Sequence, residues 1–190
     1  MRNIRRLRSA RCARPLSFLR NEDGSTAIEF GLIALPFMLF VLAILGMGLY
    51  FLVSVSLEHG AEAASRKIRT GQVESNAVTV GQFRNLVCQN VGPAIDCSKL
   101  SIIVQSKKTW SELTPEPCLD KNNNMAGSTG KASEAISKYS GAASEVVLVT
   151  LCYRWDLANN FKFLKLGSGA NGSGPAIIQA ATAFKSEPYN

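Results

Sequence analysis

The sequence predicts an α+β protein: a long N-terminal transmembrane helix carrying a small exported domain of one short helix and a roughly three-stranded antiparallel sheet. Three observations predict it. Residues Phe30 to Leu57 run for 28 positions without a charge. Seven arginines stand before that run, and four of the five cysteines lie beyond it. Past residue 70 the apolar spacing changes from one helical pattern to three short strand-like runs.

The apolar run sets the frame for the rest. A hydrocarbon core about 30 Å thick needs about 20 apolar residues in a helix. At about 1.5 Å per residue, the 28 residues from Phe30 to Leu57 reach about 42 Å. One helix can therefore cross a bilayer and still protrude. Pro36 removes a backbone hydrogen bond near its start and should bend or loosen it. Tyr50 and Phe51 are expected at the outer interface. Leu57, Ala61, Ala64 and Ile68 continue one apolar stripe, Glu62 and Arg66 form an i, i+4 pair, and Gly71 is a natural stop. The organisation expected is a basic leader over 1–24, the helix and its extension over 25–71, and an exported domain over 72–190. His59 is read as an exposed helix residue with no role.

Charge gives the orientation. Residues 1–24 carry seven arginines against Glu22 and Asp23, a net of +5 out of the chain's +7. Basic residues on one flank of a lone apolar segment hold that flank in the cytoplasm. The chain after residue 58 is then outside. An arginine-rich tail can also bind nucleic acid or anionic lipid, but the downstream domain has no basic excess that suggests nucleic acid. Two other targeting readings compete. A cleaved secretory signal could use Ala61-Glu62-Ala63, although the apolar run is too long for one, and residues 1–21 are arginine-rich and acid-free like an organelle presequence.

Cysteine usage agrees with export. Cys12 lies in the tail, while Cys88, Cys97, Cys118 and Cys152 lie past the membrane. Four exported thiols suggest two disulfides, with three pairings open. The closeness of Cys88 to Cys97 favours that pair and leaves Cys118 with Cys152; buried free thiols are the alternative. A zinc site is disfavoured, since no Cys-x-x-Cys occurs and the single histidine is His59.

The domain is expected to begin with a helix from about Val80 to Val91. Thr79 and Gln82 have capping-box spacing, Phe83, Leu86, Val87 and Val91 form its buried face, and Gly92-Pro93 ends it. Leu100 to Gln105 and Glu145 to Trp155 read as strands, the second apolar on both faces as a central strand is. Ala176 to Phe184 is the third, with Ile178, Ala180, Thr182 and Phe184 on one side. A polar insertion separates the first two, Thr114 to Ser144, in which Lys131 to Tyr139 could make a helical turn or two. Gly167 to Pro175 reads as a flexible loop, without the ending of a phosphate-binding loop. No nucleophile motif, paired carboxylates or cofactor motif is visible, so an enzyme is not expected.

The junction of tail and helix reads Asn21-Glu22-Asp23-Gly24-Ser25-Thr26-Ala27-Ile28-Glu29-Phe30. Thr26 to Glu29 has capping-box spacing, which accounts for Glu29 by itself. The same stretch resembles a prepilin processing site, cut after the glycine, here between Gly24 and Ser25. Glycine allows an extended backbone to approach a protease cleft closely. The cut would free an amino group four residues before Glu29, whose carboxylate a neighbouring subunit's new terminus could neutralise at the edge of the hydrocarbon.

Further stretches extend the resemblance: Leu35-Pro36, Leu57 to Gly71 with its ending Ile-Arg-Thr-Gly-Gln, Phe83 to Cys88, Asp96-Cys97, and Ala181 to Tyr189 with Phe184-Lys185-Ser186-Glu187-Pro188-Tyr189. Together they resemble the TadE-like family of the tight-adherence (Flp) pilus machinery; the insertion does not match it. The resemblance implies a pilin-like fold and a minor pilin or pseudopilin of the bacterial inner membrane, needed for adherence and biofilm formation. It implies a prepilin peptidase, other pilus subunits and assembly-platform proteins as partners. The rival reading is an uncleaved single-pass anchor carrying an extracytoplasmic binding module.

Overall fold

The computed structural model describes residues 24–72, 77–142 and 144–187. The arginine-rich tail, Cys12, Pro188 and Tyr189 lie outside the described residues. The elements run α1 (Ser25–Arg69), α2 (Val80–Asn90), β1 (Leu100–Lys107), a single turn α3 (Ser137–Ser140), β2 (Val146–Trp155) and β3 (Ala176–Lys185), with short 3-10 turns between them. This is the mixed α+β arrangement expected from the sequence. Two compact units divide the chain inside α1, between Leu42 and Ala43.

In the first unit, residues 24–42, α1 is apolar around its circumference. Phe30, Leu32, Ile33, Phe37, Met38 and Phe40 are all exposed. A helix with no polar face is either buried in protein or set in lipid, and α1 is long and apolar enough to cross a membrane. It is assigned as helix straight through Pro36; one missing backbone hydrogen bond does not end a helix of 45 residues.

In the second unit, residues 43–190, α1 is a core element. Gly46, Val53, Leu57, Ala61, Ala64 and Ile68 are buried, at spacings that place them on one stripe. Leu57 is completely buried, which stabilises by about 1.5–3 kcal/mol relative to exposure. Tyr50 meets Trp155 edge-to-face with ring centroids 5.9 Å apart. The stretch expected to protrude as a stalk is therefore packed against the sheet. The helix ends where Gly71 takes φ +68° and its amide bonds the Ile68 carbonyl at 3.0 Å. Arg66, Lys67 and Arg69 occupy its last turn, where cations favour the helix dipole.

Helix α2 starts as expected, with both hydrogen bonds of the Thr79–Gln82 capping box formed. It packs Phe83 and Val87 into the same core, followed by Val91. The sheet has the order β1-β2-β3 and is antiparallel throughout, with Val104 opposite Val149 and Val149 opposite Thr182. Every residue of β2 except Arg154 is buried, because both of its faces are covered. Val147, Val149, Leu151 and Tyr153 face α1 and α2. Cys152 and Ile103 face the other way, against Cys118 and Ala126 of the insertion.

The insertion is thus a second layer rather than a loose loop. The Cys118–Cys152 disulfide ties it to the central strand, and a Cys88–Cys97 disulfide ties α2 to the entry of β1. Ser128 and Thr129 run along the outer edge of β1. The Thr129 amide donates to the Ile102 carbonyl at 2.8 Å, the Val104 amide donates to Thr129 Oγ1 at 2.9 Å, and the Ile102 amide donates to Ser128 Oγ at 3.1 Å. An edge that would otherwise offer unpaired backbone groups is satisfied. Gly167 to Pro175, expected to be flexible, is zipped by backbone bonds from Gly167 to Gly172, Ser168 to Pro175 and Gly169 to Ser173.

Two outcomes are expected for the folded protein in detergent micelles. A Cβ at Gly60 would collide with the Val91 side chain, whereas one at Gly48 meets nothing within 4 Å. Val91 is β-branched and buried, so Gly60→Ala should cost about 1–3 kcal/mol, while Gly48→Ala should be neutral or gain up to about 1 kcal/mol; equal unfolding midpoints would contradict the packing. Removing Cys118–Cys152, which closes a separation of 34 residues, should cost about 4 kcal/mol, and removing Cys88–Cys97, with a separation of 9, about 3 kcal/mol. Denaturant titration of the paired Cys→Ala variants checks the order.

Candidate functional site

The junction singled out by the sequence lies at the very start of the helix. Gly24 immediately precedes α1, is exposed, and has open space where a Cβ would be. Ser25 is the first helical residue, one residue before the expected cap at Thr26. Glu29 accepts a hydrogen bond from Ser25 Oγ at 3.3 Å, so it pairs one turn back rather than with a Thr26 cap. The shift has a simple cause: four residues separate Ser25 and Glu29, which sets them on one helix face. Both are exposed.

A groove of about 540 Å³ lies in the second unit, between the last turns of α1 and the end of β3. His59, Glu62, Arg66 and Arg69 line one side, Thr182 and Phe184 the other. His59 Nδ1 is 3.3 Å from the Asn90 carbonyl. Below the groove the residues that follow β3 are latched. Arg69 Nε meets Glu187 Oε1 at 3.3 Å, and the Glu187 amide donates to the Arg69 carbonyl at 3.2 Å. The buried Ser186 hydroxyl lies within bonding distance of the Ala142 and Glu145 carbonyls. The string Phe184-Lys185-Ser186-Glu187 thereby gains a structural account that spacing alone does not supply: it ties the end of β3 to the end of α1.

A charged cluster organises the other end of β2. Asp156 accepts from Lys99 Nζ at 2.8 Å and from Arg154 Nε at 2.9 Å, and Lys99 also faces Asp96 at 3.7 Å. The hydrogen bond from Lys99, reinforced by Arg154, holds the Asp156 carboxyl below its ordinary value. The same bond raises Lys99 above its own. The cluster fixes the start of the 3-10 segment Asp156–Leu164, whose Phe161 and Leu164 approach α1 at Gly46. Two of these pairs are local in sequence, Asp96 with Lys99 and Arg154 with Asp156, but the Lys99–Asp156 bond that joins them links residues distant along the chain and has no pattern to mark it.

Compared with known families, residues 24–66 match the TadE-like protein family. The match begins at Gly24 and takes in the junction and nearly all of α1; it covers less than a quarter of the chain. No curated protein and no solved structure matches. The resemblance read from the junction and helix thus stands over residues 24–66, and the sheet and insertion are described by their own structure.

Asp156 gives a pH test with a definite sign. Its folded-state value is depressed, so its contribution is fully present above the ordinary value of 3.8 and is lost as pH falls below it. Lys99 is raised, so its share is present below 10.5 and is lost as pH rises through the higher folded value. Asp156→Asn should lower Tm modestly at neutral pH, with the gap to the parent closing in strong acid and strong alkali. A gap independent of pH would reject the assignment.

Proposed function

We propose that this chain is a minor pilin or pseudopilin that acts in assembling tight-adherence (Flp, type IVb) pili. In this reading it is a single-pass protein of the bacterial inner membrane, with its N-terminus in the cytoplasm and its globular unit in the periplasm. A prepilin peptidase cuts between Gly24 and Ser25. The observation that carries the reading is the family match, which starts at Gly24 and runs through the membrane helix as one piece. Two further features support it. Gly24 is exposed and precedes the helix directly, so a peptidase can hold it in extended form. The two disulfides suit an oxidising compartment.

The chemistry follows from the helix start. Cutting after Gly24 leaves an α-ammonium on Ser25, at a helix end that already concentrates positive partial charge. Glu29 is the nearest carboxylate. Near hydrocarbon its charge is costly unless paired, and the ammonium of an adjoining subunit would neutralise it and set axial register. Other pilus subunits and assembly-platform proteins are the partners of that step. A second reading, an uncleaved anchor bearing an extracytoplasmic binding module, draws on the groove between α1 and β3. In it Glu29 needs no neighbour, because Ser25 already donates to it.

Amino-terminal sequencing of the protein from membranes separates the two: Ser25 first supports the pilin reading, Met1 first the anchored module. Gly24→Ala should abolish maturation, seen as retained leader mass. Glu29→Ala should leave cutting intact while pilus number falls sharply; normal pili from that variant would refute the register role.

A further inference from the structure

Among the described residues outside α1, three large apolar side chains are exposed: Trp110, Leu157 and Phe163. Two of the three sit on the 3-10 segment Asp156–Leu164. That segment also packs against the first buried residue of α1: a Cβ on Gly46 would come within 2.9 Å of Phe161 and Leu164. Lys162 and Lys165 are exposed beside them. Exposed apolar side chains flanked by lysines, next to an apolar helix, have the composition of a membrane-interface element.

We propose that residues 156–165 form a foot lying in the interface of an anionic phospholipid bilayer. Phe163 and Leu157 enter the boundary between headgroups and acyl chains, and Lys162 and Lys165 meet lipid phosphates. The inference rests on the membrane-anchored reading and deepens it by placing the bilayer edge. Asp156, Asn159, Asn160 and Lys162, with the irregular backbone that carries them, exclude this segment from the hydrocarbon itself. The foot therefore places the membrane interface at the level of Gly46.

The test places a fluorophore on the foot of the full chain. Phe163→Trp is reconstituted into vesicles of phosphatidylcholine and phosphatidylglycerol, and the emission of the parent, from Trp110 and Trp155, is subtracted. Lipid brominated high on its acyl chains should remove most of the added emission, and aqueous iodide should remove little. Leu157→Trp should behave alike and guards against a misfolded single variant. Lys162→Glu combined with Lys165→Glu should restore iodide access while the protein still floats with the vesicles. If the chain floats but the added emission is quenched by iodide and not by bromolipid, the foot is wrong and the anchor stands. Shielding from both quenchers that grows with protein density would mean that a second copy covers the foot, and would overturn the proposal. If the chain does not float at all, the anchored reading falls and takes the foot with it.

Discussion

One stripe of α1 holds the globular unit together. Gly46, Val53, Leu57, Ala61, Ala64 and Ile68 recur every three, four or seven residues and close the inner face of the sheet together with α2. Without them Val147, Val149 and Leu151 would be covered by α2 alone. The stripe is built from small residues near its middle, and Gly60 lets Val91 approach the helix backbone more closely than any side chain would allow. The same helix thus presents two kinds of surface. Before Ala43 its apolar side chains point outward on every side, as lipid requires; beyond Leu57 charged residues appear on the far face and only the stripe stays apolar.

The sheet's second face shows how a small domain completes a core. Three strands have two faces to cover, and the helices cover one. The insertion covers the other, with Cys118 and Ala126 over Ile103 and Cys152. Its cost in chain entropy is offset by the crosslink to β2 and by the hydrogen bonds that Ser128 and Thr129 make along β1. At the far edge, Ser186 and Glu187 fasten the end of β3 to Ala142, Glu145 and Arg69. Covalent and polar ties therefore sit where the apolar core is thinnest.

Function divides along the chain in the same way. The match to the TadE-like family covers residues 24–66, which hold an exposed glycine, the helix start and a carboxylate one turn later. The globular unit contributes a groove at one end of α1 and, at Gly46, a lysine-flanked apolar segment.

Much was legible from local pattern. The charge-free run, the Thr79–Gln82 capping box, the stop at Gly71 and the uniformly apolar β2 all express periodicity or a short-range hydrogen bond, and each is a property of neighbouring residues. Sequence alone thus determined the helix, the α+β order of elements and the position of the junction. Tertiary structure decided what depends on residues far apart. The stripe from Gly46 to Leu57 looks like membrane because Leu, Val and Tyr suit lipid and protein core alike, and only the presence of Trp155, Phe161 and Val91 on the other side separates the two. The insertion has no period to read because it follows the sheet's edge through single hydroxyls, and Asp156 finds Lys99 across 57 positions. Such pairs are chosen by the packed chain, since an apolar or charged side chain carries no record of its partner until the fold brings one within reach.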